Sequence, residues 1–177
     1  MNVYFSNYGA KVKLEDIKLL MAKLNVHLPT EYQKFISEIN GGEPKNCFFE
    51  IRKFDPESTN VECYVIVEDF FNFQQFEEVW NYTKNDLEEL SLFPIADVRG
   101  GMMICVRQSD AEFCELFFYD NDFGVLALSI CLEKFLNLLI PKNEVDYRKY
   151  GIDFSISLNA IKSSLTKIFC IKFSIRF

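Results

Sequence analysis

Apolar residues recur along this chain with two different periods, and the switches between them mark its elements. Leu14, Ile17, Leu20, Met21 and Leu24 fall at helical spacing, which predicts a first amphipathic helix from about Lys13 to Leu24. Leu28 and Pro29 open a second helix, since proline at a first helical position lacks an N–H that would have no intrahelical partner anyway. Tyr32, Phe35, Ile36 and Ile39 then share one helical face, which must be buried. Asn40, Gly41 and Gly42 stop that helix as a left-handed cap requires, and Pro44 follows. Cys47 to Ile51 reads as a strand and Asp55, Pro56, Ser58 and Asn60 as a turn. In Val61 to Val67 the residues Val61, Cys63, Val65 and Val67 face one way, and Glu62, Tyr64 and Ile66 the other. Phe70, Phe71, Phe73 and Phe76 lead into a further helix on which Phe76, Val79, Trp80 and Thr83 share a face. An aromatic cluster of this kind beside a helix is core rather than a stacking site for a cofactor.

The densest run of strand signals is Phe93 to Leu128. Phe93 to Ala96 is a short strand entered through Pro94, which suits a strand start or edge because it has no N–H. Arg99, Gly100 and Gly101 make a turn. Met102 to Val106 is continuously apolar, as a strand buried on both faces requires, and Gln108 to Glu112 is a polar hairpin loop. Glu115 to Tyr119 returns, and Asp120, Asn121, Asp122 and Gly124 close the unit with turn residues. Ser129 is placed to cap a last helix with Leu132, Phe135, Leu136 and Leu139 on its face, ended by Pro141. Residues 142–177 read as a charged linker and a C-terminal extension. In the extension Ile152, Phe154, Ile156 and Leu158 alternate, Ile171, Phe173, Ile175 and Phe177 alternate again, and Ile161, Leu165 and Ile168 are more helical between them. Alternating Ile and Phe left in water would be sticky edges, blunted by Lys172 and Arg176. The extension is therefore expected to dock on the domain or to pair with a second protomer, giving a homodimer.

Composition narrows the class. A chain of 177 residues that is 49% hydrophobic, with 19 Phe, has a dense core available and need not be disordered. Met1 is followed by polar and aromatic residues rather than by a basic segment leading into an apolar run, so no signal peptide is expected. No apolar stretch reaches the ~20 residues of a membrane span. Six Cys without close pairs, five of them inside apolar runs, read as reduced thiols of a cytoplasmic protein.

The formal charge of −7 is unevenly spread: residues 1–150 carry 25 acids against 15 bases, while residues 151–177 set Asp153 against Lys162, Lys167, Lys172 and Arg176. From Glu50 to Leu90 there are 11 acids against Arg52, Lys53 and Lys84. Such a surface repels nucleic acid and anionic membrane and attracts a basic protein, although it also serves simple solubility.

A conventional catalytic set is hard to assemble. The single histidine, His27, sits at a helix start, so a histidine-dependent triad would rest on one loop residue. Walker, dinucleotide and nucleophile-elbow patterns are missing from the sequence. Asp120, Asn121 and Asp122 open like a calcium loop, but Gly124 and Cys131 stand where that loop needs other spacing and a glutamate. Asp122, Phe123 and Gly124 spell a kinase triplet without its partner motifs. An enzyme using Asp120, Asp122 and a metal is the reading left to catalysis. No cofactor is expected.

The order of elements carries a resemblance. Leu28, Pro29, Tyr32, Phe35 and Ile36, ended by Asn40, Gly41 and Gly42, resemble the opening motif of the SUKH superfamily, the Smi/Knr type of immunity domain. Phe93 to Ala96, Gly100 and Gly101 with Met102 to Val106, and Phe117 to Asp122 resemble its central strands and the turn after them. Cys131 to Leu139 resembles its closing helix, and the likeness runs from about Leu14 to Ile140, inside a domain taken as residues 1–141. Arg99 departs from the polar or acidic residue that the family often places before the paired glycines. The resemblance implies an α+β domain, a twisted, mainly antiparallel sheet with helices on one side. In most bacterial members it also implies a non-enzymatic immunity protein that blocks a toxin delivered by a neighbouring cell, often one acting on nucleic acid. Some eukaryotic relatives are scaffolds in cell-wall and signalling control, so a regulatory interaction module is the alternative. An inhibitor covering a toxin's phosphate groove gains from negative charge. The acids expected to meet such a partner are Glu68 and Asp69 after one strand, Glu77 and Glu78 on the following helix, and Asp120 and Asp122 after another strand.

Overall fold

The computed structural model describes residues 5–51, 64–122, 124–128 and 130–144. Their elements run β1 (Phe5–Ser6), α1 (Leu14–Leu24), α2 (Thr30–Glu38), β2 (Glu43–Pro44), β3 (Phe48–Glu50), β4 (Tyr64–Phe70), α3 (Phe76–Leu87), β5 (Leu92–Val98), β6 (Met102–Arg107), β7 (Leu116–Asp120), β8 (Gly124–Ala127) and α4 (Leu132–Leu138), with a 3-10 turn at Lys142–Glu144. The architecture is α+β. Strands β3 to β8 form one six-stranded sheet in chain order, and every pairing in it is antiparallel. β1 and β2 form a separate pair.

Register sorts the side chains into two faces. Phe49 pairs with Val65, Val67 with Val98, Phe70 with Ala96, Phe93 with Val106, and Ile104 with both Ala96 and Phe118, so all of these share a face. The helices reach that face through aromatic rings. Phe35 of α2 meets Phe70, Phe76 and Trp80 of α3 meet Phe93, and Phe135 of α4 meets Phe49, all with centroids 5.4–5.6 Å apart. Phe5 closes the seam edge-on against Phe35 and Phe70. Of the face expected of the second helix, Tyr32, Phe35 and Ile36 are buried and Ile39, at the C-cap, is half-buried; Ile17 of α1 is buried as well. The apolar run of β6 is buried on both faces, since Ile104, Cys105 and Val106 are all 0% exposed.

Several expectations are corrected. β4 continues to Phe70, so Glu68 and Asp69 lie inside the strand rather than after it, with a register shift between Val67 and Asp69. β5 reaches Val98 and takes in Asp97. Pro94 is neither at an edge nor at the start, because β5 lies between β4 and β6. It is tolerated there because pairing with β4 stops at Ala96 and a bulge between Pro94 and Ala96 relaxes the ladder to β6. Pro29 is the N-cap of α2, with helical residues beginning at Thr30. Cys131, not Ser129, stands at the N-cap of α4. The short strands β1, β2 and β8 have no periodic signal long enough to predict. The turn from Asp55 to Asn60, Val61 to Cys63, Ser129 and the extension 152–177 with its docking and pairing lie outside the described residues.

Candidate partner-binding surface

The turn that ends α2 builds the acidic surface. Asn40, Gly41 and Gly42 all have positive φ, of 48°, 80° and 104°. The buried Asn40 side chain ties three loops together: its Nδ2 donates to the Ala10 carbonyl at 2.6 Å and its Oδ1 accepts from Phe73 N–H at 2.8 Å. Glycine is required at the next position because a Cβ on Gly41 would lie 2.7 Å from the Asn72 backbone nitrogen. With the turn fixed, Gly42 and Phe70 exchange N–H···O bonds of 3.0 Å. The residues beside that pair, Glu43 and Asp69, are thereby brought together.

On the face opposite the aromatic seam, one row crosses the sheet in register: Asp69, Asp97, Met103, Tyr119 and Val125. Asp69 and Asp97 are direct cross-strand neighbours, with Cα atoms roughly 4.5–5.5 Å apart. Like charges so placed are destabilising. Asp69 is exposed at the surface, and partial desolvation first, then the charges of Glu43, Asp97 and Glu68, push its carboxyl above the ordinary value. Burial and then Glu68 do the same to Asp97, opposed by a hydrogen bond from the Val98 backbone. Among the described residues the relief is partial. Arg99 Nε donates to Glu68 Oε1 at 2.8 Å, and Asn7 Nδ2 donates to Glu43 Oε1 at 2.9 Å. Arg99, the residue that departs from the family pattern, thus serves as a counter-charge to β4.

The six acids singled out in the sequence do not form one cluster. Glu68 and Asp69 sit together, joined by Glu43 and Asp97. Glu77 and Glu78 occupy the first turn of α3, and Glu77 is paired with Lys23 of α1 at 2.6 Å. Asp120 ends β7, and its Oδ1 accepts from Asp122 N–H at 2.8 Å in the turn to β8. It lies three strands from Asp69, roughly 14 Å at the usual strand spacing. Sequence reasoning missed Glu43 and Asp97. Asp97 was detectable in principle as a lone charge between buried Ala96 and Val98; Glu43 was not, because its contact spans the α2 turn.

Two further polar side chains have local partners, whereas the buried Tyr32 hydroxyl has none among the described residues. His27 Nδ1 lies 2.9 Å from Asp110 Oδ1 on the surface. The Glu31 carboxylate accepts from Cys114 N–H at 2.8 Å. Cys105 and Cys114 are buried free thiols, and burial raises both well above the ordinary thiol value. Among the described residues no three His, Cys, Asp or Glu side chains converge as metal ligands, and no helix is long and apolar enough to cross a membrane.

Comparison with curated proteins yields no match. The family models do: residues 11–138 match the SMI1 / KNR4 family (SUKH-1). That span runs from just before α1 to the last residue of α4 and contains the whole six-stranded sheet and the α2 turn. The chain belongs to the SMI1 / KNR4 family (SUKH-1).

Proposed function

We propose that this domain is a non-enzymatic immunity protein that acts in the cytoplasm. It binds a basic toxin directed at nucleic acid and neutralises it by covering the toxin's phosphate-binding groove. Family membership supports a protein-binding role, and the observation that carries the finer reading is the pairing of Asp69 with Asp97, flanked by Glu43 and Glu68. Such an arrangement lowers the stability of the free domain, because two partly desolvated carboxylates repel across adjacent strands. A cationic partner removes the repulsion on binding, so the interaction gains what the free domain lost. The loop end of the sheet, with Asp120 and Asp122, and Glu78 at the start of α3, beside a Glu77 whose charge is offset by Lys23, extend the negative field that steers such a partner in.

The test uses the product of the neighbouring gene as partner. Stopped-flow association should be fast and should slow as salt is raised, because exposed charges are screened beyond ~10 Å at 0.1 M. Replacing Asp69 and Asp97 by lysine should reduce the association rate at least tenfold while circular dichroism stays that of the folded protein. Unchanged affinity and salt dependence would remove the acidic-surface mechanism. A partner that is an endogenous signalling or cell-wall protein rather than a toxin would replace immunity with the scaffold reading.

A further inference from the structure

We propose that the groove between α2 and α4 is a second contact surface, which receives a short apolar segment with basic flanks from a protein partner. It rests on the protein-binding reading above and adds an apolar anchor point that the strand face lacks. Phe35 and Leu132 form its floor, both buried, and Phe113 of the β6–β7 loop forms one wall with 63% of its surface exposed. The hollow holds about 380 Å³. That is near the lower end of small-molecule sites, which span roughly 300–1,000 Å³, and suits one or two anchoring side chains.

Phe113 is held out into water by its neighbours. Thr30 and Glu31 N–H donate to the carbonyls of Ala111 and Glu112 at 3.0 and 2.9 Å, and Cys114 N–H donates to Glu31 Oε2 at 2.8 Å. The chain is therefore pinned to the start of α2 on both sides of the phenylalanine, and the ring has no local route into the core. An aromatic side chain presented on a fixed backbone is the usual anchor of a protein interface, since little entropy is lost when it is covered.

The rim decides the chemistry of the occupant. Glu38, Glu112 and Glu133 are exposed, and among the described residues their carboxylates form no ion pair. Among the described residues, Lys34 is the one cation lining the groove. A segment entering over this rim needs positive charge on either side of its apolar anchor, and an acidic one is repelled. α2 has nine residues and is about 13 Å long, enough to seat two turns of a helix.

Two synthetic amphipathic peptides of equal length and identical leucine spacing, one with lysine and one with glutamate at the polar positions, test this by fluorescence anisotropy on the full chain. The lysine peptide should bind at least tenfold more tightly and weaken as salt is added. Phe113→Ala should cost at least tenfold in its affinity with an unchanged melting temperature, because the ring is exposed. Glu38→Lys with Glu112→Lys and Glu133→Lys should invert the preference toward the glutamate peptide. Asp69→Asn with Asp97→Asn should leave peptide binding unchanged, which separates this surface from the strand face. Equal binding of the two peptides, or binding that follows Asp69 and Asp97 instead of Phe113, would overturn the groove and leave the strand-face reading standing. A concentration-dependent dimer abolished by Phe113→Ala would make a second copy of the chain the occupant and would also overturn it.

Discussion

Asp69 and Phe70 are adjacent in β4 and belong to opposite economies of the fold. Phe70 turns toward the helices and packs its ring against Phe5 and Phe35 at 5.5 and 5.6 Å. Asp69 turns the other way and faces Asp97 across the strand pair, with Glu43 and Glu68 close enough to raise its pKa. Apolar burial stabilises the sheet, at roughly 1.5–3 kcal/mol per large side chain, and the Asp69–Asp97 end of the face opposite the helices carries charge that opposes folding. The two faces can therefore be altered separately. Glu77 sharpens the contrast: it is also an acid in the densest acidic stretch, yet Lys23 neutralises it.

Breaking the aromatic face should have the largest effect. Phe35→Ala is expected to destabilise by about 3–5 kcal/mol in urea unfolding, the usual result of emptying a core aromatic site; a loss under about 1 kcal/mol would mean that the seam does not hold the sheet. Gly41→Val comes next, at about 1–3 kcal/mol for the positive φ alone. Its Cβ also meets the Asn72 backbone, which a rotamer change cannot clear. Because the same turn sets Glu43 beside Asp69, this variant should lose partner binding together with stability.

The charged face should respond with the opposite sign. Asp69→Asn with Asp97→Asn is expected to raise the melting temperature near neutral pH and to weaken binding. Both carboxyls have folded pKa values above the ordinary value of about 4. Their contribution to stability is thus full when they are protonated, below that value, and is lost as pH rises through the raised folded pKa. The advantage of the double variant should shrink as pH falls from 7 toward 4. An advantage independent of pH would show that the row is not repulsive. Glu77→Gln should do least, about 0.2–1 kcal/mol at low salt and less at high salt, because its pair with Lys23 is exposed on both sides.

The parts of the fold that were legible in the sequence are those with local causes. The face of α2, the stop at Asn40 to Gly42, the Arg99 to Gly101 turn, the doubly buried β6 and the face of α4 follow from periodicity and from the few residues that accept positive φ. The end of β4 was misjudged because Glu68 and Asp69 look like loop residues when their strand partners are unknown. The interior place of Pro94 depends on where pairing with β4 stops, which is a property of register. Within the candidate site, acidity was legible and its organisation was not: Asp69 and Asp97 are 28 positions apart and become neighbours only through the pairing of β4 with β5.

The sequence by itself determined that this chain has a dense aromatic core, an acidic body and the helix and turn signals of its family, because hydrophobic period, glycine placement and net charge are local or additive properties. The tertiary structure decided which acids confront each other, which are neutralised, and that Phe113 is pinned beside an acid-rimmed groove. Those outcomes depend on strand register and on hydrogen bonds such as Cys114 N–H to Glu31, which join residues distant in the chain. Coulomb energy falls with distance through space rather than along the chain, so only the folded geometry could assign it.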